Sequence, residues 1–334
     1  MNIFITGEKG FIGKNLVAAM PYFYNMNHIS GDPELNKKVK AIFYDLEFHT
    51  PGEPCVYRNT ISEWRHFFLS NKVDVVIHNA ATVGTDVVAL NADHSTSTNV
   101  QGTYNICRAA KLLDIPVCYM GTTVIYDTQK YQDEYIVEDS DLKPTTLYGC
   151  QKLCAEHIVK SQTNKWMIVR PLFAYGGEGD MNSLIAKTIY GALNGKTKID
   201  MFLDPDKIKD YMHVSDYCVG VLQCIHNNLW GNDWNLASES PYTTREIVNM
   251  ISEITGKDLS SVIKWHSKTD YLGNHRLSSK KVRKVIGWKP LVTLEQGIKM
   301  SLQSIISAGD YNPLKHLEEA KAKNIDLTDY FPEF

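Results

Sequence analysis

The stretch NIFITGEKGFIGKNL, residues 2–16, decides the fold. It joins a short apolar run to a segment in which Ile12, Leu16 and Ala19 recur at helical spacing. Between the two lie Gly7, Gly10 and Gly13, spaced G-x-x-G-x-x-G. Glycines at such a strand-to-helix turn let the backbone approach a pyrophosphate, whose charge is favoured at the helix N-terminus. The stretch predicts a dinucleotide-binding turn, with Phe11 and Ile12 opening the helix beside the three glycines. Pro21 is expected to end that helix, since it has no N–H to continue the ladder.

Working outward, short apolar runs alternate with helix-period segments through about residue 240. NIFIT (2–6), NHIS (27–30), AIFY (41–44), VDVVIH (73–78), PVCYMG (116–121), WMIVR (166–170) and DWNLA (233–237) are the expected strands. Ile106/Ala109/Ala110/Leu113 and Tyr217/Val221/Cys224/Ile225 mark helices. Regular alternation of this kind argues an α/β fold, a doubly wound parallel sheet with helices on both faces. After about residue 171 the order loosens. A helix near 181–193 and a strand near 199–203 come first. A helix opened by the capping box Thr243-x-x-Glu246, a strand at 262–265 and a helix opened by Thr293-x-x-Gln296 follow. The division this predicts is a dinucleotide-binding domain over 1–170, to which 204–240 returns. A smaller α/β substrate lobe comes from 171–203 and 241–308, and a polar tail with a short helix at 313–323 from 309–334.

Composition excludes several classes. The 334 residues are 43% hydrophobic and 22% charged, ordinary for a soluble globular protein. A net charge of −3 gives no nucleic-acid surface, and the basic cluster SSKKVRK (278–284) reads as a solvated helix face. No apolar run reaches membrane-spanning length, and NIFITG at the N-terminus carries no secretory signal. Seven cysteines, an odd count without C-x-x-C spacing, are expected to be reduced thiols in a cytoplasm-like compartment. Cys150 and Cys154, on either side of Lys152, are read the same way. No metal-ligand motif is present.

An acidic residue to bond the adenosine ribose is expected about 20 residues beyond the glycines. Asp32, ending NHISGD, is placed for it, and Asp45-Leu46 could edge the adenine. A carboxylate there repels a 2′-phosphate, which favours NAD; Lys37 and Lys38 nearby keep NADP open. Farther on, TTLYGCQKLCAEH (145–157) sets Tyr148 four residues before Lys152. Residues i and i+4 share a helix face. A phenol beside a fixed ammonium should have a lowered pKa, one way to build a general acid/base near neutrality.

These glycines, HNAA (78–81), TNVQGT (98–103) and Tyr148 with Lys152 together resemble the extended short-chain dehydrogenase/reductases, a Rossmann-type family. KDYMHVSD (209–216), GWKP (287–290) and LEQG (294–297) are similar to late segments typical of its nucleotide-sugar-modifying branch. The resemblance implies Thr122, in MGTTVIYD, as a third catalytic hydroxyl, with Lys152 on the cofactor ribose. It implies Ala80 and Ala81 at the cofactor, Asn99 bracing the lysine's surroundings, and Val83, Thr122 and Thr123 on the substrate side. It also implies a homodimer, through the helix starting at Asn99 and the one carrying Lys152. The chemistry it implies is hydride exchange at a sugar C4, as an epimerase or a 4-ketoreductase of a nucleotide sugar.

Two departures narrow this. Thr123 and Val124 stand where similar 4,6-dehydratases carry Asp-Glu, and Thr and Val cannot exchange the protons of an elimination. The single Glu of the decarboxylases and the Cys of GDP-fucose synthase-like enzymes are absent from position 124 as well, although AATVG (80–84) is similar to that last group. Phe173, in RPLFAYGG, occupies an Asn position that bonds the diphosphate or sugar. Other donors must then serve, Lys209 first, with Arg276 or Lys268 second. A reductase of a non-sugar carbonyl and a non-catalytic dinucleotide-binding protein are the alternatives.

Overall fold

The computed structural model describes residues 1–26, 40–44, 59–180, 183–196, 198–266 and 272–306. The strand expected at 27–30, Asp32, Lys37, Lys38, Asp45, Leu46, Lys268 and the tail lie outside the described residues. The strands are β1 (Asn2–Thr6), β2 (Lys40–Tyr44), β3 (Val75–His78), β4 (Val117–Met120), β5 (Trp166–Pro171), β6 (Ala174–Tyr175), β7 (Ile199–Met201), β8 (Ile208–Asp210), β9 (Met212–His213), β10 (Asn232–Leu236), β11 (Pro241–Thr243) and β12 (Ile263–Trp265). The α-helices are α1 (Phe11–Met26), α2 (Ile61–Ser70), α3 (Thr85–Leu90), α4 (Ala92–Thr96), α5 (Thr103–Lys111), α6 (Leu147–Gln162), α7 (Leu184–Leu193), α8 (Val214–His226), α9 (Thr244–Thr255), α10 (Lys280–Ile286) and α11 (Leu294–Ile306).

Six strands bond in the order β10-β5-β4-β3-β1-β2, every neighbouring pair parallel. Strand periodicity sends Ile3 and Ile5 to one face and Phe4 to the other. Ile3 and Ile5 pack with Leu16, Phe23 and Leu222 of α1 and α8. Phe4 packs with Trp64, Phe68, Ile106 and Val159 of α2, α5 and α6. Helices thus cover both faces, a Rossmann-type doubly wound sheet. The chain reverses its build direction at β1, between β2 and β3, which opens a crevice at the carboxyl ends of the strands.

Pro21 does not end α1, which continues to Met26. Its side chain is exposed, so the lost N–H is a local cost on the outer face. Ala19, Met20 and Phe23 are buried in the core they share with α8, and that packing carries the helix through. β2, expected at 41–44, bonds directly to β1.

The remaining strands make three two-stranded pairs, β11 with β8, β12 with β7 and β6 with β9. Beside them α7, α9 and α11 enclose a separate core of Ile185, Ile189, Ile247, Ile251 and Ile298. Both expected capping boxes form: Thr243 and Glu246 exchange bonds at α9, and Thr293 and Gln296 at α11. The late segments tie this lobe to the sheet. Trp288 is buried against Gly220 of α8, and Asp216 accepts bonds from the backbone N–H groups of Leu291 and Val292. No helix among the described residues is long and apolar enough to cross a membrane.

Candidate active site

Gly7, Ala80, Thr122 and Phe173 follow β1, β3, β4 and β5 and therefore gather along one rim of the sheet. Gly7 has φ +71°, and a Cβ there would stand 2.9 Å from Ala80 Cα. A Cβ on Gly13 would collide with Gly7 O, so this glycine lets the helix start close under the turn. Gly10 is exposed, and a Cβ there meets only Gly7 O. Its outer side is open, and the first-turn N–H groups of α1 have no partner within the helix. Donors of this kind fit a pyrophosphate. Phe11 and Ile12, half-buried, pack into the core and hold the helix start in place.

Thr6, Ala80 and His78 lock the two sides of the crevice together. Thr6 Oγ1 accepts from the N–H groups of Asn79 and Ala80, so its own proton goes to His78 Nδ1, 2.8 Å away. His78 Nε2–H then donates to Thr103 Oγ1, which in turn donates to Asn99 O. This fixes one neutral tautomer, and burial together with nearby Lys152 holds its pKa down to about 3. Ala81 lies half-buried just beyond.

Tyr148 and Lys152 stand one turn apart on α6, which Thr146 caps by accepting the Gly149 N–H at 3.1 Å. A Cβ at Gly149 would stand 3.1 Å from Val124 O, so glycine lets the helix start abut the short 3₁₀ turn Thr123–Ile125. Thr122 caps that turn and is buried, as is Thr123. Tyr148 is half-buried, within electrostatic reach of Tyr119 and Tyr217. Lys152 is only 3% exposed, its Nζ donates to Met120 O at 2.6 Å, and it lies 4.2 Å above the Tyr119 ring. Burial brings its pKa down to about 7, against the opposing pull of Glu156.

Asn99 sits in a π-helical segment, Ser97–Gly102, between α4 and α5. Its side chain exchanges bonds with both backbone groups of Thr82 and donates to Gln151 Oε1 at 2.8 Å. Gln151 donates onward to Ser95 and Thr96, so Asn99 braces the helix residue next to the lysine. Gln151 and Glu156 had no motif to mark them. Extending the i, i+4 ladder from Tyr148 through Lys152 would have reached Glu156. It binds Arg170 through both oxygens, at 3.0 and 2.7 Å. Arg170 also meets Tyr126 Oη and Asp233, all at 2.7 Å.

On the substrate side Val83 is exposed and Phe173 half-buried. The Phe173 ring lies 5.3 Å from Tyr211 and 5.2 Å from His275. Lys209 is buried, with Nζ donating to Gly273 O at 2.5 Å. Arg276 donates to Gln132 O and lies over Tyr135. Part of the basic cluster at 278–284 is likewise engaged, Lys281 with Asp233 O and Arg283 with Glu239. Among the described residues no group of side chains could hold a metal ion.

The fold and this rim define a Rossmann-type protein with a dinucleotide crevice. A family profile described as "NAD dependent epimerase/dehydratase family" matches residues 3–237, and the chain belongs to that family. It is 22% identical to a dTDP-glucose 4,6-dehydratase of Neisseria gonorrhoeae, over 90% of this chain and 94% of that protein. Among solved structures it is similar to the dTDP-glucose 4,6-dehydratase of Bacillus anthracis in complex with NAD (TM-score 0.77, 22% identity, 92% of this chain and 97% of that one). It is also similar to the UDP-glucose 4-epimerase of Thermotoga maritima with UDP-glucose (TM-score 0.75, 22% identity, 93% and 100%).

Proposed function

We propose that the protein exchanges hydride at C4 of a nucleotide-activated sugar, as a 4-epimerase or a 4-ketoreductase. The observation that carries this is the meeting of the Tyr148 helix start with the Thr122 turn, beside the glycine crevice, in a turn that holds no carboxylate. NAD(P), when bound, supplies the hydride acceptor or donor. Gly7, Gly10, Phe11, Ile12 and Gly13 would hold its pyrophosphate, Ala80 and Ala81 its flank, and Lys152 its ribose. Tyr148 Oη moves the proton of the sugar hydroxyl, and Thr122 Oγ1 donates to the same oxygen as charge develops there.

Although the relatives include dehydratases, Thr123 and Val124 supply no acid or base for an elimination. Glu156, which reaches the Gly121 backbone beside that turn, is tied through both oxygens to Arg170. Tyr148→Phe is expected to lower turnover at least a hundredfold while the NAD dissociation constant stays within about threefold, as read by calorimetry. Wild-type-like turnover would remove Tyr148 from the chemistry. Turnover without added cofactor by protein that copurifies with NAD marks the epimerase; stoichiometric consumption of NAD(P)H marks the reductase.

A reductase of a non-sugar carbonyl is the second reading. In its favour, Lys209 and Arg276 already serve backbone carbonyls, and Phe173 and Tyr211 offer an apolar wall. A thermal-shift panel of UDP-, dTDP-, GDP- and CDP-sugars separates the two, because a bound ligand raises the melting temperature by mass action. No shift with any of them selects the second. A homodimer through α5 and α6 accompanies the first reading; Leu147, Cys150 and Cys154 are exposed on α6, and light scattering at micromolar concentration tests it.

A further inference from the structure

His275 is completely buried, and neither of its ring nitrogens has a hydrogen-bond partner. Burial, with Lys209 close by, holds its pKa down to about 3. The ring is therefore neutral at pH 7, with one N–H to give and one lone pair to receive. Leaving both unused costs free energy that an apolar ring in the same place would not. Lys209 and His275 pair as a β-bridge, so the imidazole and the ammonium belong to one patch. The Phe173 ring meets the imidazole edge to face at 81°. Phe173 is itself only half-buried, at the sheet rim just after β5.

We propose that His275 is the diphosphate-recognising group on the substrate side, covered in the free protein by the Phe173 ring, which turns aside as a nucleoside diphosphate enters. An anionic oxygen there accepts the imidazole N–H in the field of the Lys209 ammonium. This rests on the sugar-nucleotide reading and adds the residue that recognises the diphosphate.

The test titrates the NAD-loaded wild type and His275→Phe with UDP, dTDP, GDP and CDP, and with the matching nucleosides, by calorimetry. For the diphosphate that binds tightest, the variant should lose about tenfold or more in affinity. Nucleoside affinity should change less than about twofold, and the melting temperature of the variant without nucleotide should not fall. Should the variant not fold, ¹⁵N-histidine spectra of the wild type give the answer, since the His275 ring nitrogens must shift on adding the diphosphate. Equal diphosphate affinity in both proteins, or unmoved ring-nitrogen signals, overturns the inference alone and leaves the Tyr148 experiment standing. Failure of the wild type to bind any of the four diphosphates overturns the sugar-nucleotide reading with it.

Discussion

Lys152 is a cation held where water would not leave it: buried, beside one carbonyl and one aromatic face. Its pKa is depressed from the ordinary 10.5 to about 7, so its charge is lost as pH rises through about 7. If the ammonium holds the cofactor ribose, NAD affinity should fall by up to about tenfold per pH unit between pH 7 and 9, the limit for one linked proton. Lys152→Met should bind more weakly and without that slope; a flat wild-type profile by calorimetry would remove the ribose contact. One turn farther along, Glu156 neutralises a guanidinium that is 1% exposed. Glu156→Ala should cost on the order of 3 kcal/mol in urea melts, because it leaves the buried guanidinium only Asp233 as an acidic partner. Glu156→Gln should cost less, since an amide still answers one N–H. The Tyr148–Lys152 pair on one helix face was legible in the sequence because helix period is local, whereas Thr122 came from the family resemblance. Gln151 and His275 were not, because the side chains they meet come from segments more than 50 residues away, as with Gln151 and Ser95 or His275 and Phe173.

At the scale of elements, the apolar runs named β1, β3, β4, β5 and β10 to within two residues, since buried parallel strands are continuous hydrophobic stretches. Of the two- and three-residue strands, β7 and β12 were expected, whereas β6, β8, β9 and β11 are too short to show a periodicity. Pro21 shows the opposite failure, a sound local rule overruled by packing on the other side of the helix. β2 pairs with β1 and sets Tyr44 beside Thr6 at the rim where Gly7 follows. Asp32→Asn, at the expected ribose carboxylate, should weaken NAD binding about tenfold; a calorimetric comparison in which Asp45→Asn weakens it more would move the role to Asp45.

For the whole molecule, two neutral buried imidazoles weaken the fold on the acid side. His78 and His275 have pKa values of about 3 in the folded protein against 6.5 ordinarily. Between those values the unfolded chain takes up protons that the folded one refuses. Stability should therefore fall as pH drops from 6.5 toward 3, each ring adding about 1.4 kcal/mol per pH unit to the slope. In urea melts from pH 7 to 4.5, His275→Phe should show a slope shallower by about that amount; an unchanged slope would mean the ring does not resist protonation. The returning strand β10 has a consequence during synthesis. β5 ends at Pro171, but the partner for its outer edge is complete only at Leu236. Until about 65 further residues have left the ribosome, the nascent chain displays an unpaired apolar strand, the kind of edge that recruits other chains. A protein cut short before β10 should therefore collect in inclusion bodies, and the full chain should depend on chaperones during that interval.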